Sequence, residues 1–501
     1  MKIKYINTVQ VKESFKRMSY RIISSIPLTQ IEKFLCADGG WMTVAHAVHL
    51  TGDRSILTTN ASNVIQCLLK RHPRMRTRIR VDDDNRYFLD NLEYNSEYLS
   101  SDLYLSIVDS STESWQDMVE RKCNQDPYSN NGTIIFPTFH FMILFNSQKN
   151  DDDSFHLLVF HNHCVSDGRS GFILINDFLT LATTSNITEP LNTEILPLIT
   201  QMIPRPYGPL FSVISVIVKQ VFKRELRQMT HPRIPVKVTP LDDCGPTKSN
   251  KQRYKTNFLH TSSSTDLFPK LHQQCRREEV TLNGPLLACL LLTIHRCHPI
   301  GDKTKLEPFS IGTPYDMRAR LSQSPLTSSS VGFFVGIGMV KLKRTVPIRT
   351  TRFWSLAHNC MRLAQDQLKR NGVPLMMHVF ARLLNNRRDF SKITRLCPEG
   401  RESEFAFSNI GKYPYSCTYA EGKLQIQGIH VVNNCSLYRN SSAVYATYCG
   451  QGQLDFSLAH EMESDEKAKS FLDCYLHLIE ICADSERCKS DTTLEDLLNM
   501  L

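Results

Sequence analysis

No run in this sequence is long and apolar enough to cross a bilayer. The longest, 210–218 (LFSVISVIV), falls well short of the about 20 residues that a helical span needs. No Cys-x-x-Cys pair occurs among the 16 cysteines. They are scattered from Cys36 to Cys488, several in apolar or helical runs (Cys67, Cys289, Cys474), and read as reduced thiols rather than a disulfide framework. No apolar segment of signal-peptide length follows the opening Met-Lys-Ile-Lys-Tyr. The Asn-x-Ser/Thr matches at Asn60, Asn131, Asn186, Asn434 and Asn440 therefore read as chance, and a cytoplasmic location is expected. Internal repeats and low-complexity tracts are also missing.

Several catalytic signatures are absent too. There is no G-x-S-x-G, no G-x-x-x-x-G-K-[ST], no H-E-x-x-H, and no G-x-G-x-x-G after a strand. Their absence weighs against an α/β-hydrolase, a P-loop enzyme, a zincin and a dinucleotide-binding dehydrogenase. Basic residues do not cluster around aromatics as in a nucleic-acid module, so no nucleic-acid partner is expected.

What is present is globular. Of 501 residues, 41% are apolar and 22% charged, which excludes a disordered tail, a collagen-like fibre and a membrane bundle. At about 150 residues per domain the chain has room for two or three. The net charge of +9 is spread along the length and favours anionic partners only weakly.

Periodicity gives a mixed pattern. Helices are expected from Thr29, over 60–69 (stopped by Pro73), 172–181 and 267–279, from Thr281, and over 466–482. Strands are expected over 43–50, 75–81, 139–145, 155–161, 309–313, 332–342, 405–409, 424–432, 443–448 and 453–459. Arg76, Arg78 and Arg80 alternate onto one face of 75–81, read as a solvated strand face in preference to a phosphate strip. Prolines at 232, 235, 240 and 246 mark 224–253 as a linker between two halves. Basic residues follow the apolar run 210–218. A core or lid helix is the preferred reading there, with a helix resting on a membrane surface as the alternative. The fold class is α/β, or α+β with mixed sheets.

The segment 161–168, HNHCVSDG, carries the chemistry. His163 stands at the end of an apolar strand, and a helix follows Asp167-Gly168. A histidine there faces a cleft, titrates near neutral pH and can act as a general base. Gly168 permits a tight turn. Cys164, one residue on, is expected to face the core. A zinc site at His161-x-His163 lacks further ligands at the usual spacing, so no metal is expected. His161 reads as structural, beside the cleft.

His163-x-x-x-Asp167-Gly168 resembles the H-H-x-x-x-D-G motif of the chloramphenicol acetyltransferase-like superfamily, which includes condensation domains and alcohol acetyltransferases. Further segments resemble it in the same order: Arg71-His72-Pro73-Arg74-Met75-Arg76, Val280-Thr281-Leu282-Asn283, the stretch from Gly312 to Arg318 (GTPYDMR), and Ser408-Asn409-Ile410-Gly411. The last is similar to the alcohol acetyltransferase and polyketide-associated branch. The sequence departs from the pattern at Asn162, where the family has the first histidine. It also lacks D-F-G-W-G; 454–458 (LDFSL) lies near its expected place.

The resemblance implies two similar halves, about 1–200 and 255–501, joined by a crossover over 201–254, with a tunnel between them. It implies acyl transfer from a thioester, with acyl-CoA as co-substrate and no bound cofactor, to an alcohol or lipid-like acceptor, by a monomer. An amide-forming enzyme and a silent acyl-binding relative are the alternatives. His163 would be the base, and Asp167 a structural partner of Arg318, chosen over the neighbouring Arg320 on the resemblance. Ser408 and Asn409 are the oxyanion candidates.

Overall fold

The computed structural model describes residues 20–38, 41–129, 132–148, 154–184, 188–228, 234, 237, 239–241, 254–299, 301–321, 326–385, 405–434, 442–450 and 452–501. Two six-stranded mixed sheets form its frame. In the first the strands lie in the order Thr418–Tyr419, Leu424–Asn433, Thr43–Gly52, Ser154–Asn162, Phe139–Phe145, Leu105–Asp109. In the second the order is Asn257–Ser262, Leu454–His460, Ser442–Tyr448, Phe405–Lys412, Ser310–Asp316, Val335–Lys341. A smaller five-stranded sheet includes Thr77–Val81 and Tyr87–Leu92. The α/β class with mixed sheets is the observed one.

The strand Ser154–Asn162 shows why both faces of the first sheet are apolar. Leu157 and Val159 enter one hydrophobic core, while Leu158 and Phe160 join another cluster with Ala45, Ala47, Tyr445 and Ala459. Period-two alternation with both faces buried turns the strand into a near-continuous apolar run.

The sheets do not follow the two sequence halves strand for strand. Leu424–Asn433, from late in the chain, pairs antiparallel with Thr43–Gly52 and places Ile429 opposite Val48. Asp455 of the second sheet fastens this crossing strand: its Oδ2 accepts from the Ile429 N–H at 2.8 Å. Gly428 stands at a register shift there, and a Cβ on it would lie 2.8 Å from Gln453 Nε2. The LDFSL segment is thus a buried strand whose carboxylate ties the two sheets together.

Most expected elements are present with longer bounds, such as the helices Ser55–Arg71, Gly168–Ala182, Asn283–Cys297 and Asp465–Ala483. The helix expected from Thr29 is a single turn, Gln30–Lys33, followed by the π-turn Phe34–Asp38. The arginine face of 75–81 is not a solvated strip. Arg76 lies in the 3-10 turn Pro73–Arg76, buried against backbone carbonyls of Leu69, Lys70 and Asn192. Arg78 and Arg80 both donate to Asp90 Oδ2, at 3.0 and 2.9 Å. The expected linker begins inside the helix Phe211–Gln228, and most of the rest lies outside the described residues. No disulfide joins the described cysteines, and no described helix is long and apolar enough to cross a membrane.

Candidate active site

The central strand Ser154–Asn162 stops at Asn162, and the chain turns into the helix Gly168–Ala182. Asn162 braces this turn. Its Oδ1 accepts from the Cys164 N–H at 3.0 Å, and its carbonyl accepts from the Val165 N–H at 3.1 Å. The residue that departs from the motif is therefore a backbone brace. The helix begins at Asp167, whose Oδ1 caps it by accepting from the Ser170 N–H at 2.8 Å. Gly171 lets this first turn lie on the first sheet, since a Cβ there would stand 2.1 Å from the His46 ring. His46 Nε2 donates to the Gly168 carbonyl at 2.9 Å and holds the turn from below.

His163 stands at the turn's edge and lines a cavity. Its Nδ1–H donates to the Ser166 carbonyl at 2.9 Å. That bond fixes the tautomer and leaves Nε2 as the nitrogen with a lone pair. The Phe333 ring meets the imidazole edge-on at 5.3 Å. Burial pulls the His163 pKa below the usual histidine range, opposed by the Ser166 carbonyl and the Asp167 charge. The ring is neutral at pH 7, the state a base must start from.

Asp167 and Arg318 are brought together. Arg318 Nη2 donates to Asp167 Oδ1 at 3.0 Å and to Ser170 Oγ at 2.8 Å. The second carboxylate oxygen accepts from the Phe334 N–H at 2.8 Å. Burial alone pushes the Asp167 carboxyl up; the Arg318 guanidinium and the two backbone N–H donors outweigh it and hold the carboxyl below its usual range. Asp316 accepts from Nη1 of the same arginine at 3.0 Å. The Asp167 side chain is wholly buried and is not among the groups lining the cavity.

The cavity, of about 290 Å³, lies between the sheets and is lined by both halves of the sequence. Alanines 406, 443 and 459 border it, and their small side chains leave room where larger ones would fill the gap. One region is apolar, built by Phe34, Leu35, Met376, Met377 and Phe380; the Phe34 and Phe380 rings meet there at 5.4 Å. Another carries Thr256, Asn433, Tyr445 and His460.

Ser408 and Asn409 both border the cavity with His163. The structure separates them chemically. Asn409 Nδ2 donates to Asn283 Oδ1 at 2.6 Å, so that amide is committed to the helix Asn283–Cys297. The Ser408 hydroxyl has no partner among the described residues. Cys164 is buried in the core, and its hydrogen bond with Cys36, together with burial, pushes its thiol up, so it is no thiolate nucleophile. His161 does not stand beside the cleft: it is buried between His46 and Phe139, at ring distances of 5.4 and 5.9 Å. His161 is not among the residues lining the cavity, and no group of three or more potential metal ligands occurs among the described residues. Phe333, Met376, Met377, Phe380 and Arg169 are lining residues that sequence reasoning missed. Arg169, directly after Gly168, was the one within reach of the motif.

Residues 127–479 match the alcohol acetyltransferase family. Among curated protein sequences none matches the chain. Solved structures similar to it include trichothecene 15-O-acetyltransferase from Fusarium sporotrichioides, 13% identical, with a TM-score of 0.70 over 93% of this chain and 97% of that one. Polyketide synthase associated protein 5 from Mycobacterium tuberculosis is 15% identical, with a TM-score of 0.64 over 93% of this chain and all (100%) of that one. The first condensation domain of the calcium-dependent antibiotic synthetase is 9% identical, with a TM-score of 0.63 over 94% of this chain and 98% of that one. At these identities the likeness is one of fold.

Proposed function

Because the chain belongs to the alcohol acetyltransferase family, we propose that it moves an acyl group from acyl-CoA directly to an alcohol hydroxyl, with His163 as general base. The observation that carries this reading is the Nδ1–H bond from His163 to the Ser166 carbonyl at 2.9 Å, on a ring that borders the cavity. It presents a basic Nε2 to whatever fills that space.

The steps follow from the groups present. An alcohol is a weak nucleophile at neutral pH. Nε2 takes its proton as the oxygen attacks the thioester carbonyl, and a C–O bond forms. The carbonyl π electrons move to oxygen, and the Ser408 hydroxyl, which lines the same cavity as His163, is the candidate donor to that charge. The intermediate collapses, the C–S bond breaks, and the thiolate takes the proton back from the imidazolium. While His163 is charged, the Ser166 carbonyl and the nearby Asp167 carboxylate favour that form. Asp167 itself stays bound to Arg318 and holds the turn in place. Arg169 lines the cavity with no ion pair among the described residues, and offers a phosphate-bearing donor a cation.

The test is to incubate the protein with acetyl-CoA and a panel of alcohols and amines, following free thiol and the acylated product. Thiol release that depends on alcohol, with ester formed in equal amount, is expected. Release only with amines, or none with any acceptor, contradicts the proposal.

A further inference from the structure

The helix Phe211–Gln228 turns an apolar stripe outward. Leu210, just before it, and Val213, Val216 and Ile217 on it are 62%, 60%, 55% and 57% exposed. Positions 210, 213 and 217 recur at helical spacing, so these side chains form one ridge. The opposite stripe is spoken for. Phe211 is buried, and Ile214 and Val218 pack on the core. Phe211 meets the ring of His378 edge-on at 5.0 Å, and Arg382 lies over the same phenyl ring at 5.1 Å while donating to Ser215 Oγ. His378 and Arg382 belong to the helix Gly372–Asn385. That helix also supplies Met376, Met377 and Phe380 to the apolar region of the cavity. The helix Gly372–Asn385 therefore lies between the helix that carries the ridge and the cavity.

The rim of the ridge is mainly basic, although Asp366 pairs with Arg370 at 3.4 Å. Arg205 and Arg382 are exposed, and both depress the His378 pKa, though burial is the larger cause, so their charges sit close to it. Tyr207, 43% exposed, donates its hydroxyl to the Arg370 carbonyl at 2.6 Å, beside exposed Lys369. Over 199–220 the sequence holds Arg205 and Lys219 and no acidic residue. Aliphatic side chains on one face, an aromatic at the edge and a basic surround are what an interfacial helix needs. A clustered exposed apolar patch marks an interaction site rather than ordinary surface.

We propose that this face seats the protein on a lipid surface bearing anionic headgroups, so that an apolar substrate leaving the lipid enters beside Met376, Met377 and Phe380. The seating does not depend on the acyltransferase reading; the route for the substrate does.

The experiment is cosedimentation of the full chain with phosphatidylcholine vesicles, with and without about 30% phosphatidylserine, alongside turnover assays. Wild type is expected to sediment with the mixed vesicles more than with phosphatidylcholine alone, and less at high salt. A Val213→Glu/Ile217→Glu variant should bind the mixed vesicles about tenfold more weakly or worse. Its circular dichroism and its turnover of a short water-soluble alcohol should be unchanged, while turnover of a long-chain alcohol held in vesicles falls in step with binding. Wild type left in the supernatant with both vesicles, or a double variant that binds as wild type does, overturns the proposal. So does light scattering that finds a wild-type dimer, a monomeric double variant and no vesicle binding, which assigns the ridge to a second copy. Vesicle binding with no turnover of any alcohol leaves the seating intact and refutes the acyl-transfer reading instead.

Discussion

Asp167 and Arg318, 151 positions apart in the chain, meet in an ion pair of 3.0 Å whose two side chains are almost wholly buried. The pair joins the motif helix to the second sheet, because Arg318 follows the strand Ser310–Asp316 and Asp167 caps Gly168–Ala182. Asp167 directly follows Ser166, whose carbonyl accepts from His163 Nδ1–H at 2.9 Å. The turn that carries His163 is thus tied down by a contact between distant parts of the sequence.

Breaking that pair strands a buried charge. Asp167→Ala and Arg318→Ala should each lower stability by about 3–5 kcal/mol. The double variant should lose less than the sum of the two. Chemical denaturation of all four proteins measures the coupling. Strictly additive losses would show that the contact contributes nothing of its own.

The pH profile of turnover carries a second signature. The His163 pKa is depressed by burial, so the acidic limb of kcat/KM should fall below the free-imidazole value of about 6.5. Activity should hold from pH 7 down past that point. An acidic limb centred above it would contradict a buried, neutral His163.

Much of this was legible in residues 139–168. The paired apolar strands, the turn and the Asp-Gly that opens a helix are local patterns, and local patterns survive in sequence. Arg318 as the partner of Asp167 was reached through the resemblance, since a lone arginine carries no mark of its contact. The crossing strand Leu424–Asn433 was recognisable as a strand, yet its place beside Thr43–Gly52 depends on long-range pairing that periodicity does not encode. The helix Gly372–Asn385 was missed for a related reason. An apolar helix face looks the same in sequence whether it fills a core or, as with Met376, Met377 and Phe380, borders a cavity. Ser408 and Asn409 were indistinguishable until Asn283 came within 2.6 Å of Asn409.

That difference gives a third prediction. Ser408→Ala should lower kcat by about ten- to a thousandfold with little change in KM, as loss of an oxyanion donor does. Asn409→Ala should act mainly on stability, because it removes the bond to Asn283. Steady-state kinetics beside thermal melts separate the two. A Ser408→Ala enzyme with wild-type kcat would remove Ser408 from the mechanism.

Acid should unfold the protein early. Around Trp115 lie His49, His156, His260 and His430, all within about 6 Å of it ring to ring. Burial holds His49 and His156 at about 3 and His430 at about 4. Each of these folded-state values lies below the unfolded value of about 6.5. The stability each confers is complete above that pH and is lost as pH falls toward the folded value, at about 1.4 kcal/mol per pH unit for each ring kept neutral. Asp455, raised to about 6 by burial, works in the opposite direction, but it is one carboxyl against several imidazoles. Melting temperatures should therefore drop steeply between about pH 6.5 and 4. A flat profile over that range would mean that the cluster takes up protons without cost.

The central claim is that His163 removes the proton from the acceptor hydroxyl. Its most direct test is the rate of acceptor-dependent thiol release from acetyl-CoA by the wild type and by His163→Ala, on protein shown to be folded. The account predicts a fall of about 10² to 10⁴ with an unchanged melting curve. A folded His163→Ala enzyme that retains near wild-type turnover would contradict it.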